Sequence, residues 1–170
     1  MATVLDRPSE GATPSTPTPT TGAVPLLKRP QSMEGFWSWI TTVDHKRIGI
    51  LYGVTSMIFF FFGGFLALAI RAELAFPGLQ YLSYEVYNQY FTMHGTIMMF
   101  LFVVPMLEGL ALYLIPKMIG ARDLLFPRLS AFGYWCYLFG SIILLSSLLL
   151  GIAPNAGWFA YTPLSNAVYS

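Results

Sequence analysis

Residues 48–70 read IGILYGVTSMIFFFFGGFLALAI, a stretch without a single charged side chain. At about 1.5 Å of rise per residue, this stretch as a helix covers roughly 34 Å, enough to cross a hydrocarbon core of about 30 Å. It is read as the first membrane-spanning helix, and it settles the solvent for the whole chain. A backbone in lipid must satisfy its own hydrogen bonds, so the flanking apolar runs are read as helices too.

Working outward toward the C-terminus, RAELAFPGLQYLSYE (residues 71–85) is polar, and Pro77-Gly78 marks a turn within it. A second apolar run covers 86–115, interrupted only by His94, Pro105 and Glu108. A kink is expected near Pro105, because proline lacks the amide donor and its ring crowds the preceding turn. The basic connector KMIGARDLLFPR (117–128) follows, and a third charge-free run, 129–153, closes at Pro154-Asn155-Ala156-Gly157. The fold class expected is all-α: a polytopic membrane protein contributing three transmembrane helices to a larger bundle. Small residues such as Gly53, Gly63, Gly64, Gly109, Gly133 and Gly140 suit close helix packing in lipid.

Toward the N-terminus, FWSWITTVDHKR (36–47) places aromatic rings before a charged cluster, the pattern of an interfacial lead-in. Residues 1–35 are rich in Pro and Thr, carry too little apolar surface to offset the entropy of ordering, and are expected to form a disordered cytoplasmic tail ahead of a membrane domain at 36–170. No apolar signal-peptide region is visible in 1–34.

The composition agrees with a membrane protein: 55% of the 170 residues are hydrophobic and 10% charged, against about 25% charged in an ordinary soluble domain. A formal charge of +1 gives no reason to expect a nucleic-acid partner. The single cysteine, Cys136, has no partner for an internal disulfide and is expected to be a small buried hydrophobe. Basic residues flank the start of the first span (Lys28, Arg29, Lys46, Arg47) and join the second to the third (Lys117, Arg122, Arg128), whereas the first outer loop holds only Arg71. By the positive-inside rule the N-terminus is cytoplasmic, in the cell's inner membrane, and the C-terminus lies outside.

Several residues carry chemistry. An ionisable group at the depth of His94 is costly unless it has a role. Two readings fit: a neutral imidazole ligating heme iron, with Gly95 leaving room for a macrocycle edge, or an imidazole hydrogen-bonded to a neighbouring helix. His45 stands among charges and is expected to be solvated. Arg71 either snorkels to the interface or bonds a polar substituent of a cofactor. Asp123 is a loop carboxylate, either paired with Arg122 or marking the entrance of a proton path. Glu108 either joins a polar path or reaches the interface. The aromatics at the run ends are expected to form an interfacial belt, and Met93, Met98, Met99 and Met106 to pack rather than to bind copper.

DHKRIG (44–49), IRAEL (70–74), Tyr87-Asn88, MHGTIMMF (93–100), IPKMIGARDLLFPRLSAFGYW (115–135) and GWFAYTPLS (157–165) together resemble subunit I of the heme-copper oxidases, in particular the heme a-type cytochrome c oxidases. The resemblance implies a bundle of about twelve helices packed through small residues in lipid. It implies that His94 is an axial ligand of low-spin heme a iron and that Arg71 bonds the heme formyl group. Trp158 and Tyr161 are then near the propionates, Asp123 is the entrance aspartate of the D proton path, and Glu73 and Gly78 belong to a peripheral cation site. Heme a3 and copper would be held by residues beyond 170, so the chain is expected to be one part of a larger subunit. The implied partners are the copper-containing subunit II, subunit III and cytochrome c as electron donor, within the lipid bilayer. Two departures stand out: the segment from Pro105 to Pro116 is one residue short and lacks the asparagine before Pro116, and Ser130 and Ala131 replace asparagines after FPR. A quinol-oxidising relative and a non-catalytic three-helix scaffold are the alternatives.

Overall fold

The structure, a computed structural model, describes residues 35–163 together with 165 and 166, so nearly all of the expected disordered tail lies outside the described residues. All regular structure among these residues is helical: α1 (Trp37–Ile40), α2 (His45–Glu73), α3 (Tyr84–Thr96), a π-helical segment (Ile97–Val103), α4 (Val104–Met118) and α5 (Pro127–Leu149). Three continuous helices are long and apolar enough to cross a membrane: His45–Glu73, Tyr84–Met118 and Pro127–Leu149.

Their ends differ from the hydropathy boundaries, for reasons found in the caps. α2 starts at His45, not Ile48, because the Asp44 carboxylate accepts the Lys46 amide at 3.0 Å. It runs on to Glu73, past Arg71. α3 starts at Tyr84 behind Ser83, whose hydroxyl accepts the Val86 amide at 3.4 Å. α5 stops at Leu149 rather than Ala153. There Gly151 takes φ +71°, and the amides of Gly151 and Ile152 turn back onto the carbonyls of Leu148 and Ser147.

The disturbance expected near Pro105 is a widened stretch of helix just before it. The Val104 amide reaches back five residues to the Met99 carbonyl. Pro105 offers no amide, and the Leu101 carbonyl, four residues earlier, accepts instead from the Tyr137 hydroxyl of α5 at 2.7 Å. One side-chain donor thus replaces the missing backbone donor and ties the second span to the third.

Two buried clusters hold the spans together. Phe59, Leu66, Met93, Ile97, Leu101 and Ala153 fill the half nearer the α2–α3 loop, and Ile48, Tyr52 and Tyr134 fill the other half. α2 and α4 touch backbone to backbone: a Cβ at Gly49 would lie 2.7 Å from the Gly109 carbonyl oxygen. Many large apolar side chains remain exposed, among them Phe61, Phe65 and Leu68 of α2 and Ile142 and Ile143 of α5. That surface needs lipid or further helices to cover it. Cys136 is on this exposed surface, a correction to the buried position expected for it. The charge-free run around it marks a helix without saying which face each residue takes.

Candidate functional site

His94 occupies the last turn of α3, immediately before the π segment. Its Nδ1 lies 2.9 Å from the Gly63 carbonyl of α2. A carbonyl only accepts, so Nδ1 carries a proton, and in the neutral ring the lone pair is then on Nε2. Among the described residues Nε2 has no hydrogen-bond partner, and the imidazole is half-buried. A ring fixed through one nitrogen by a backbone carbonyl, with the other nitrogen left basic, is the arrangement commonly found in metal-ligating histidines. Of the two readings left open at this residue, the helix–helix bond is the one seen, and it leaves Nε2 available for a further partner. Gly63 makes the approach possible, since a Cβ there would meet the Met98 Sδ at 2.9 Å and the Ile97 Cγ2 at 3.2 Å. Met93, fully buried, belongs to the core as expected of it.

The segment after α5 folds back onto α3 along positions three residues apart. The Gln89 amide group donates to the Gly151 carbonyl at 3.5 Å, and the Thr92 hydroxyl accepts the Gly157 amide at 2.9 Å. At Gly95 an added Cβ would stand 2.8 Å from the Trp158 ring. The room at Gly95, expected to receive a macrocycle edge, is taken by the Trp158 indole. Gly95 therefore brings Trp158 beside the His94 turn. Tyr161 is exposed and stacks on Phe159 at 5.1 Å. Sequence reasoning passed over Gln89 and Thr92, although polar residues spaced by three around an intramembrane histidine were a usable signal.

Arg71 is exposed in the last turn of α2. It lies eight residues beyond Gly63, roughly 12 Å along the helix axis from the level of His94 and in the same half of the bundle. Glu73 is buried at 5% exposure. Its carboxylate accepts the amides of Gln80 (2.7 Å), Tyr81 (3.0 Å) and Leu82 (3.1 Å), which pins the α2–α3 loop. Gly78, at φ +90°, lines a cavity of about 550 Å³ together with Glu73, Tyr84 and Tyr87. Among the described residues no group of three His, Cys, Asp or Glu ligands forms around Glu73.

At the opposite end of the bundle, the structure corrects the reading of His45. Its side chain is only 3% exposed, with Nδ1 3.4 Å from Asp123 Oδ1 and 3.6 Å from Asp44 Oδ1, while Nε2 is buried with no hydrogen-bond partner among the described residues. As the first residue of α2, His45 shares the inward stripe of Ile48 and Tyr52, so the fold buries it despite its charged neighbours in sequence. Ser130 turns its hydroxyl back onto the Phe126 carbonyl at 3.3 Å. Glu108 is exposed on α4, and its carboxylate interacts with the Tyr52 hydroxyl.

The family model described as Cytochrome C and Quinol oxidase polypeptide I matches residues 47–170. A probable cytochrome c oxidase subunit 1-alpha of Streptomyces coelicolor is 52% identical over 145 residues, covering 85% of this chain and 25% of the relative. Cytochrome c oxidase subunit 1 of Corynebacterium glutamicum is 51% identical over 135 residues, 79% of this chain and 23% of that protein. The corresponding protein of Corynebacterium diphtheriae is 44% identical over 171 aligned positions, 100% of this chain and 29% of that protein. The chain thus spans about a quarter of the length of the curated relatives it matches.

Proposed function

The chain belongs to the cytochrome c and quinol oxidase polypeptide I family, and from that premise we propose that it forms the low-spin heme end of the catalytic subunit of a terminal oxidase. The whole subunit would oxidise cytochrome c, reduce oxygen to water and pump protons. Residues 36–170 are its membrane domain and residues 1–35 a cytoplasmic tail, in the cell's inner membrane.

His94 would hold the heme iron. What carries this reading is the bond from Nδ1 to the Gly63 carbonyl, 2.9 Å long, which holds the ring and leaves Nε2 basic. Heme a, when bound, supplies one-electron transfer. The chain's own residues position and insulate. Gly63 and His94 lock α2 to α3 and Trp158 closes the space at Gly95; Arg71 would bond the formyl group, and Tyr161 and Trp158 would contact the propionates. Heme a3 and copper belong to the rest of the subunit, and subunit II and subunit III to the assembly.

At the basic end, Asp123 is the proposed entrance for proton uptake, with His45 Nδ1 holding its carboxylate. Glu73 is assigned to pinning the outer loop. A cation beside Gly78 would have to use backbone carbonyls together with the remaining lone pairs of Glu73.

The deciding experiment is an optical spectrum of the oxidase carrying this chain. His94→Ala is expected to abolish the low-spin heme band. An intact band rejects His94 as ligand, and a wild-type protein that purifies without any heme rejects the oxidase reading in favour of a scaffold.

A further inference from the structure

The Glu73–Gly78 cavity, the Asp44–His45–Asp123 cluster and the aromatic group at Trp158 all belong to sites already described. A different feature lies on the outer side of the α2–α4 contact. On α2, Lys46, Gly49, Ile50 and Gly53 occupy positions i, i+3, i+4 and i+7, and on antiparallel α4 Lys117, Tyr113, Leu110 and Met106 follow one another at three- and four-residue spacing. Such spacing puts each set on one face of its helix. The two faces enclose a furrow of about 310 Å³ whose walls are mostly apolar, with Tyr113 among the lining residues. Both stripes end in an exposed lysine at the basic end of the bundle. The Lys117 ammonium sits 3.4 Å from the centroid of the Tyr113 ring, and Lys46 and Lys117 both act electrostatically on the Tyr113 hydroxyl.

An apolar furrow at membrane depth, headed by two cations and a hydroxyl at interfacial depth, complements one class of molecule in both halves. We propose that the α2–α4 furrow binds an anionic glycerophospholipid, with its phosphate between Lys46 and Lys117 beside the Tyr113 hydroxyl and an acyl chain along Gly53, Leu110 and Met106. Basic pockets between transmembrane helices on the cytoplasmic side are the usual setting for anionic headgroups. A free phosphate would leave the furrow unfilled, and an apolar helix of another subunit would leave the two exposed ammonium groups at its end without a counter-charge. The furrow is kept open by the lack of a side chain at Gly53, where an added Cβ meets nothing within 4 Å. Filling it therefore does not disturb the Gly49–Gly109 crossing below.

The test uses the complete oxidase in nanodiscs of phosphatidylcholine containing a minor fraction of phosphatidylglycerol with a photoreactive acyl chain. Labelling is expected at Gly53, Val54, Met106 and Leu110, competed by unlabelled phosphatidylglycerol and not by phosphatidylcholine. Lys46→Gln combined with Lys117→Gln is expected to weaken it on the order of thirtyfold, the product of two interfacial cations. Gly53→Leu is expected to abolish labelling at those positions with an unchanged low-spin heme spectrum, so the result is read independently of the heme assignment. Equal labelling by a phosphatidylcholine probe, labelling indifferent to the lysine changes, or no labelling because a neighbouring helix fills the furrow would each overturn the proposal.

Discussion

Tyr137→Phe removes one hydroxyl from a side chain that otherwise keeps its packing against Tyr52 and Phe59. What it leaves behind is the Leu101 carbonyl, in a residue 7% exposed, without the 2.7 Å bond it receives from α5. A buried acceptor stripped of its partner costs about 1–3 kcal/mol in water-soluble proteins, and interhelical hydrogen bonds in a bilayer average about 0.6 kcal/mol with a maximum near 1.7. Because Pro105 removes the amide that an α-helical ladder would aim at Leu101, no backbone donor stands ready to take over. The expected loss is therefore toward the upper end of the bilayer range, about 1.5 kcal/mol. The reasoning has a sharper consequence in a second background. Pro105→Ala restores an amide at residue 105, four residues after Leu101, so Tyr137→Phe made on top of it should cost little. The double-mutant cycle is expected to show about 1 kcal/mol of coupling. The assay is equilibrium unfolding of the complete oxidase subunit in mixed micelles, followed by near-UV circular dichroism. Costs that add within about 0.3 kcal/mol would refute the idea that the Tyr137 hydroxyl substitutes for the missing proline amide.

Three further outcomes follow from individual contacts. Glu73→Gln keeps one acceptor oxygen where three amides now share two, and hydrogen exchange at Gln80, Tyr81 and Leu82 should accelerate roughly 10–100-fold; unchanged protection would mean the loop is held by something else. Gly49→Ala drives a Cβ to 2.7 Å from the Gly109 carbonyl oxygen, where backbone has to yield, and should destabilise by about 1–3 kcal/mol in the same micelle assay, while Gly53→Ala, facing open space, should be neutral. Asp123→Asn should slow oxygen consumption by about tenfold or more with the low-spin heme spectrum unchanged; wild-type turnover and pumping would remove Asp123 from proton uptake.

The three spans were legible because hydropathy reports the one thing a bilayer imposes, a long run of residues almost without charge. It does not report where a helix ends. Asp44 and Gly151 set those boundaries through caps and left-handed turns, so α2 is longer than its apolar run and α5 shorter. Nor does it separate i−4 from i−5 hydrogen bonding, and the π segment stayed hidden although Pro105 pointed to the right neighbourhood. His45 shows a different limit. Its immediate neighbours are charged and suggest solvent, but the partner that buries it, Asp123, is 78 residues away, and only the packing of the connector against the start of α2 brings the two together.

α3 is where these separate observations meet. One side of it grips the segment after α5 through Gln89, Thr92 and Gly95, and the adjacent side grips α2 through His94 and the Gly63 carbonyl. The imidazole proposed to face iron is thus held by α2 and hemmed in by Trp158, whose own position depends on Gly151 ending α5 early enough for the chain to turn back. The π segment begins three residues after His94, so the irregular hydrogen bonding starts immediately beyond the turn that holds the ring. An α-helical turn thereby holds the imidazole, while the adjustment demanded by Pro105 is taken up farther along the same span and tied off by Tyr137. The helix accommodates a proline deep in lipid without passing the distortion to His94, as the role proposed for that imidazole requires.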